Sequence, residues 1–113
     1  METDTQFPFQ KLDCYVAAKE LARRIHVARI GEAELRDQAT RASKSAFLCL
    51  CEGLPSESPV TRRKYFTLAN NSLHEAVGAV DLAATVDALA LGEAEIIQAL
   101  GLRLRRMLRA LMR

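Results

Sequence analysis

Leu35-Arg-Asp-Gln-Ala-Thr-Arg-Ala-Ser-Lys-Ser-Ala-Phe-Leu-Cys-Leu-Cys-Glu-Gly53 is the stretch whose reading decides the fold. At about 100° per residue, Leu35, Ala39, Ala42, Ala46 and Leu50 share one apolar arc, the pattern of a helix laid against a core. Gln38, Arg41, Ser45, Cys49 and Glu52 form a second, mostly polar stripe within about 80° of one another. Arg36, Asp37, Thr40 and Lys44 lie around the remaining face. Beyond Lys44, the segment Ser45 to Cys51 carries no charge. A helix end that is apolar nearly all round is buried on more than one side.

Upstream, Phe9 to about Arg29 repeats Cys14, Ala18, Leu21, Ile25 and Ala28 at helical spacing. This predicts a first helix, preceded by an extended or disordered leader over residues 1–8. Gly31 is placed to stop that helix in a left-handed conformation, and Glu32 and Glu34 put negative charge in the first turn of the next. Downstream, Leu54-Pro-Ser-Glu-Ser-Pro59 is the clearest break in the chain. Ser58 followed by Pro59 reads as an N-cap and a first-turn proline, so a third helix starts there. It runs to about Leu89, roughly 30 residues and 45 Å.

In this third helix Asn70, Asn71, His74, Gly78, Asp81 and Thr85 line up in a stripe about 100° wide. Ala69, Leu73, Ala76, Val77, Ala79, Val80, Leu82, Ala83, Ala84 and Val86 cover most of the rest. That apolar face is about twice what the outside helix of a monomeric bundle needs. The reading favoured is burial against another copy of the chain, and the alternative is alanine serving as a neutral surface residue.

Leu91-Gly92-Glu93-Ala-Glu95 makes a turn and an acidic first turn of a fourth helix, with Ile97, Leu100, Leu104, Met107, Leu108 and Leu111 on one arc. Arg103, Arg105, Arg106, Arg109 and Arg113 take the opposite side, with no acid after Glu95. Cations near a helix C-terminus complement its dipole, which accounts for two or three of them. A cationic stripe for phosphates accounts for all five. Antiparallel helices joined by short loops predict an all-α, up-down-up-down four-helix bundle filling residues 9–113 as one domain.

The chain has 113 residues, 50% hydrophobic and only 5% aromatic, so the core must come from Ala, Leu, Ile and Val, a palette that favours helices. A net charge of +2 is too small to imply a nucleic-acid or membrane partner, so distribution matters more than total. Cys14, Cys49 and Cys51 have no metal or redox spacing and read as small buried hydrophobes of a reducing cytosol. The acidic, polar start does not resemble an export signal, and Asp81 and Asp87 interrupt the longest apolar run. A soluble cytoplasmic protein without membrane contact is expected.

No catalytic residue, cofactor site or metal site is expected. His26 and His74, the only histidines, have no acid in metal-ligand spacing, and no phosphate loop or nucleophile motif occurs. Gln38, Arg41, Ser45 and Glu52 read as a buried or inter-subunit hydrogen-bond network rather than an active site.

Phe9 and Leu12, then Gln38, Arg41, Ala42, Ser45, Glu52 and Gly53, then Phe66, Ala69, Ser72, Leu73 and Glu75, follow a recognisable order and spacing. In these the chain resembles the bacterial four-helix bundle proteins encoded inside intervening sequences of 23S ribosomal RNA, whose relatives include the accessory variability proteins of diversity-generating retroelements. It departs from their pattern at Cys49, where they usually carry Asn, at Leu54, Pro55 and Ser56, and at Asn70 and Asn71, where Arg-Gly is common. The resemblance implies a homo-pentameric ring and an ancillary role around structured RNA or a reverse transcriptase. The expected function is a non-enzymatic homo-oligomeric scaffold. It would bind RNA or DNA through Arg103, Arg105, Arg106, Arg109 and Arg113, helped by Arg62, Arg63 and Lys64. The alternative is a protein-interaction adaptor with no nucleic-acid role. Gln38, Arg41, Ser45, Glu52, Gly53, Ser72 and Glu75 are expected to be structural.

Overall fold

The computed structural model describes residues 5–113 and contains four α-helices and no strand among them. They are α1 (Asp13–Val27), α2 (Ala33–Gly53), α3 (Pro59–Thr85) and α4 (Leu91–Leu111). The expected leader falls partly outside this range, since residues 1–4 are not described. Its last residue, Pro8, opens a short 3-10 helix over Pro8–Lys11, and extended backbone at Leu12 separates that turn from α1. Phe9 packs its ring edge-on against Tyr15 at 5.5 Å, and Tyr15 in turn meets Phe47 of α2 at 5.1 Å.

Each helix touches its neighbours in the order α1, α2, α3, α4 and back to α1, as an up-down-up-down bundle requires. The α2–α3 interface is much the most extensive. The cause is side-chain size: Ala39, Ala42, Ala46, Ala69, Ala76 and Ala83 are all at most 3% exposed, so the two backbones can approach closely. Leu21, Ile25, Leu50, Phe66, Leu73, Ile97, Leu104 and Leu108 fill the centre. Ser43, the one buried polar residue among the described residues, donates its hydroxyl to Thr40 O at 3.0 Å. The Cα extents are 43 × 39 × 20 Å and the radius of gyration is 14.6 Å, against about 13 Å for an average compact chain of this length. The helices therefore splay into a slab rather than stand parallel in a rod.

Helix boundaries correct the sequence reading at several points. No glycine has positive φ, so Gly31 is not a left-handed cap. Helix α1 instead ends at Ala28 in extended backbone, and the chain carries Ile30 into the core at 2% exposure. Gly31 N–H donates to Ala88 O at 2.7 Å, tying the first loop to the third. Glu32 sits one step before the first turn of α2, as its N-cap, and accepts from Leu35 N at 2.6 Å. Ser58 caps α3 as expected, accepting from Thr61 N, with Pro59 in the first turn. Helix α3 stops at Thr85, four residues short of expectation, because Asp87 is left-handed at φ 61°. Ala88 N–H donates to Ala83 O and Asp87 N–H to Ala84 O, which is a Schellman closure with an aspartate where glycine is usual. The turned chain then buries Leu89.

The wide apolar face of α3 is largely satisfied within one chain. Ala69, Leu73, Ala76, Ala79, Val80 and Ala83 are buried and Val77 and Ala84 half-buried, because α2 and α4 flank the helix on both sides. Only Leu82 and Val86 of that face remain about half exposed, joined by Leu68 at 40%. The apolar end of α2 behaves similarly: Ala46 and Leu50 are buried, while Leu48 is 59% exposed. Cys14 is buried, but Cys49 and Cys51 are only half-buried, so the expectation of three buried thiols holds for one. Burial pushes the Cys14 and Cys51 thiols up from their ordinary value. No helix among the described residues is long and apolar enough to cross a membrane.

Candidate nucleic-acid interface

Helix α4 turns Leu104 and Leu108 into the core at 0% exposure. At about 100° per residue, that orientation sets Arg103, Arg106, Arg109 and Arg105 in that order around the cylinder, with Arg105 nearest the core, and Arg113 follows beyond the last helical residue, Leu111. Arg103, Arg106, Arg109 and Arg113 are exposed and Arg105 is half-buried at the α3 side. Among the described residues, none of the five forms an ion pair. Guanidinium groups in this state are open to phosphate oxygens.

The two ends of the bundle differ in how their charges are partnered. Arg63 Nη1 donates to Met112 O at 2.8 Å and Thr67 Oγ1 to Met112 Sδ at 3.7 Å, which pins the C-terminus of α4 beside the start of α3. Arg63 and Lys64 thereby join the α4 arginines at one end. At the other end Glu32, Glu34, Asp87, Glu93 and Glu95 lie where α2 and α4 begin and α3 stops, beside Arg23, Arg24, Arg29 and Arg36 from the end of α1 and the start of α2, so acids are mixed with cations there. There Arg24 makes a two-pronged ion pair with Glu93, Nε to Oε1 at 2.9 Å and Nη2 to Oε2 at 3.3 Å. The Arg24 guanidinium holds the Glu93 carboxyl below the usual carboxylate range, chiefly through these hydrogen bonds. Arg23 does the same to Glu20.

Of the helpers expected on α3, Arg62 is engaged elsewhere. Its Nη1 donates to Leu54 O at 2.7 Å and approaches Gly53 O and Ser56 O at 3.4 and 3.3 Å, while its guanidinium carbon lies 5.1 Å from the centre of the Phe66 ring. Through Nη1 it closes the C-terminal end of α2, whose carbonyls have no helical partner. Lys64 Nζ lies 5.3 Å from the Tyr65 ring centre.

The residues of the α2 motif meet those of α3 along the outer seam. Arg41 Nη2 donates to Gln38 Oε1, and Gln38 Nε2 donates to Glu75 Oε2, both at 3.0 Å. Ser45 and Ser72 hydroxyls share a hydrogen bond of 2.9 Å. The seam is at the surface rather than buried, and Glu52 takes no part in it. Gly53 serves packing instead: an added Cβ would sit 2.9 Å from Phe66 Cε1. Neither the Arg62 clamp nor the Arg24–Glu93 pair was foreseen, since each joins residues that a helical wheel of one element cannot relate.

His26 and His74 lie on different helices, and no three His, Cys, Asp or Glu side chains gather as a metal-holding group among the described residues. Compared with known proteins, the chain matches no family model and no curated protein.

Proposed function

We propose that this chain is a non-enzymatic scaffold that assembles with copies of itself and binds structured RNA or DNA through the arginine face of α4. The observation that carries the reading is the set of outward arginines without acidic partners, pooled with Arg63 and Lys64 at one end of the bundle. Contacts of this kind address phosphates and not base edges, so binding is weakly sequence-specific and strongly salt-dependent. Self-assembly is supported by exposed apolar side chains on two separate faces. Leu48 and Leu68, with Leu82 and Val86, lie on the α2–α3 side, and Val16, Val27 and Ile96 on the α1–α4 side. Two different patches suit a head-to-tail contact that closes into a ring. A ring of five comes from the family resemblance alone.

The alternative is a protein-interaction adaptor, favoured by the same Leu48–Leu68 face if it receives a different protein. The discriminating experiment is binding of labelled structured RNA and duplex DNA at several salt concentrations, with the mass of the protein recorded alongside. Four to five phosphate contacts would lower log K by about 4 per tenfold rise in salt. Arg106→Glu with Arg109→Glu should abolish binding and leave the helical content unchanged. Unchanged affinity in that variant would sink the assignment, and no binding at low salt by a well-formed oligomer would favour the adaptor.

A further inference from the structure

A groove between α3 and α4 lies apart from the seam and shares only Arg105 with the charged end. Gly101, in the middle of α4, is buried, and a Cβ there would lie 2.8 Å from Val77 Cγ2. A larger residue would have to push the Val77 methyl aside, and glycine leaves it in place at a cost of about 1 kcal/mol in helix propensity. Beside it opens a groove of about 260 Å³ with a mainly apolar wall formed by Leu73, Val77 and Leu102. Three polar side chains line it as well, Gln98, Arg105 and His74, of which Arg105 and His74 bear on its chemistry.

Their bonding states are unequal to their surroundings. Arg105 is half-buried and has no carboxylate partner among the described residues. The Nδ1–H of His74 donates to Asn70 O at 2.7 Å, because a carbonyl can only accept, and this leaves Nε2 as the open ring nitrogen. In the same turn of α3, Asn70 Oδ1 is buried without a donor. A cation withdrawn partly from water beside an apolar wall is unfavourable until something supplies its counter-charge.

We propose that this groove binds a small amphipathic monocarboxylate, with the carboxylate on Arg105 and an apolar tail of medium length along Leu73, Val77 and Leu102. A guanidinium matches one carboxylate through two parallel hydrogen bonds, whereas a phosphomonoester would leave a second charge against the apolar wall. The groove shares Arg105 with the nucleic-acid face, but Arg103, Arg106, Arg109 and Arg113 lie outside it, so the Arg106→Glu with Arg109→Glu variant tests that reading and Arg105→Gln tests this one.

Octanoate titrated into the full isotope-labelled chain, with octan-1-ol as the uncharged control, tests this by amide shifts. Saturable shifts are expected at Val77, Gly101, Leu102 and Arg105, at concentrations about tenfold lower for octanoate than for the alcohol. Arg105→Gln should bring the two ligands within about twofold of each other without disturbing the rest of the spectrum. Leu102→Asp, which sets a repelling carboxylate at a position already 42% exposed, should remove octanoate binding. Equal affinity for the alcohol, shifts confined to other parts of the molecule, no shifts at all, or an unaffected Arg105→Gln would each overturn the proposal.

Discussion

Gly53 and Asp87 carry opposite kinds of backbone demand. At Gly53 the demand is space: an added Cβ would meet Phe66 Cε1 at 2.9 Å and Tyr65 Cβ at 3.1 Å, and the Phe66 ring, 1% exposed, has nowhere to go. Gly53→Ala should therefore destabilise the fold by about 1–2 kcal/mol, the overpacking cost outweighing the gain in helix propensity. A lower urea midpoint with an unchanged slope would show it; an equal or higher midpoint would mean that the loop yields. At Asp87 the demand is conformational, because an L-residue at φ 61° is strained. Asp87→Gly should stabilise by about 0.5–1 kcal/mol, raising the melting temperature by a few degrees. No gain would indicate that the aspartate side chain offsets its own strain.

Between elements, polar contacts fasten what apolar packing has already brought together. Arg62 closes the end of α2 from α3, Arg63 holds the end of α4, and Arg24 reaches from α1 to Glu93 in the first turn of α4. The Glu93 pair gives a pH signature. Its carboxyl is depressed in the folded chain, so its contribution is present above the unfolded value of about 4.3 and is lost as pH falls through the lower folded value. Between about pH 6 and pH 3, the urea midpoint of the natural chain should fall more steeply than that of Glu93→Gln. Glu20, depressed by Arg23, titrates over the same range in both proteins and cancels from the comparison. Parallel curves would show that the pair adds nothing to stability.

At the scale of the whole molecule, the slab leaves apolar side chains on two faces and cations without acidic partners at one end. Leu48, 59% exposed on α2, follows Ser45 by one helical turn, and Leu68, 40% exposed on α3, precedes Ser72 by one turn, so both lie near the Ser45–Ser72 hydrogen bond. If copies meet there, Leu48→Asp with Leu68→Asp should reduce the mass in solution from a multiple of 12.5 kDa towards the single chain, with helical content retained. An assembly that survives both changes would place the contact elsewhere. Those cations would orient a phosphate chain toward the α4 arginines before contact.

The number of helices, their order and the start of α3 were legible in the sequence because they rest on local terms. These are the 3.6-residue period of Leu35 to Leu50, the Ser58–Pro59 start, and the outward direction that Leu104 and Leu108 impose on Arg103, Arg106 and Arg109. The left-handed Asp87 was not legible, since aspartate there follows from the closure of α3 and the burial of Leu89 rather than from any breaker residue. Nor was the fate of the wide α3 face: a wheel counts apolar degrees, but only the placement of α2 and α4 decides how many are covered. Arg62 made the same point with charge. Beside Arg63 and Lys64 it reads as one more cation, and it became a clamp because the carbonyls that end α2 arrive within its reach. Local periodicity determined the elements, and the use of each side chain was decided by which neighbour the tertiary packing set against it.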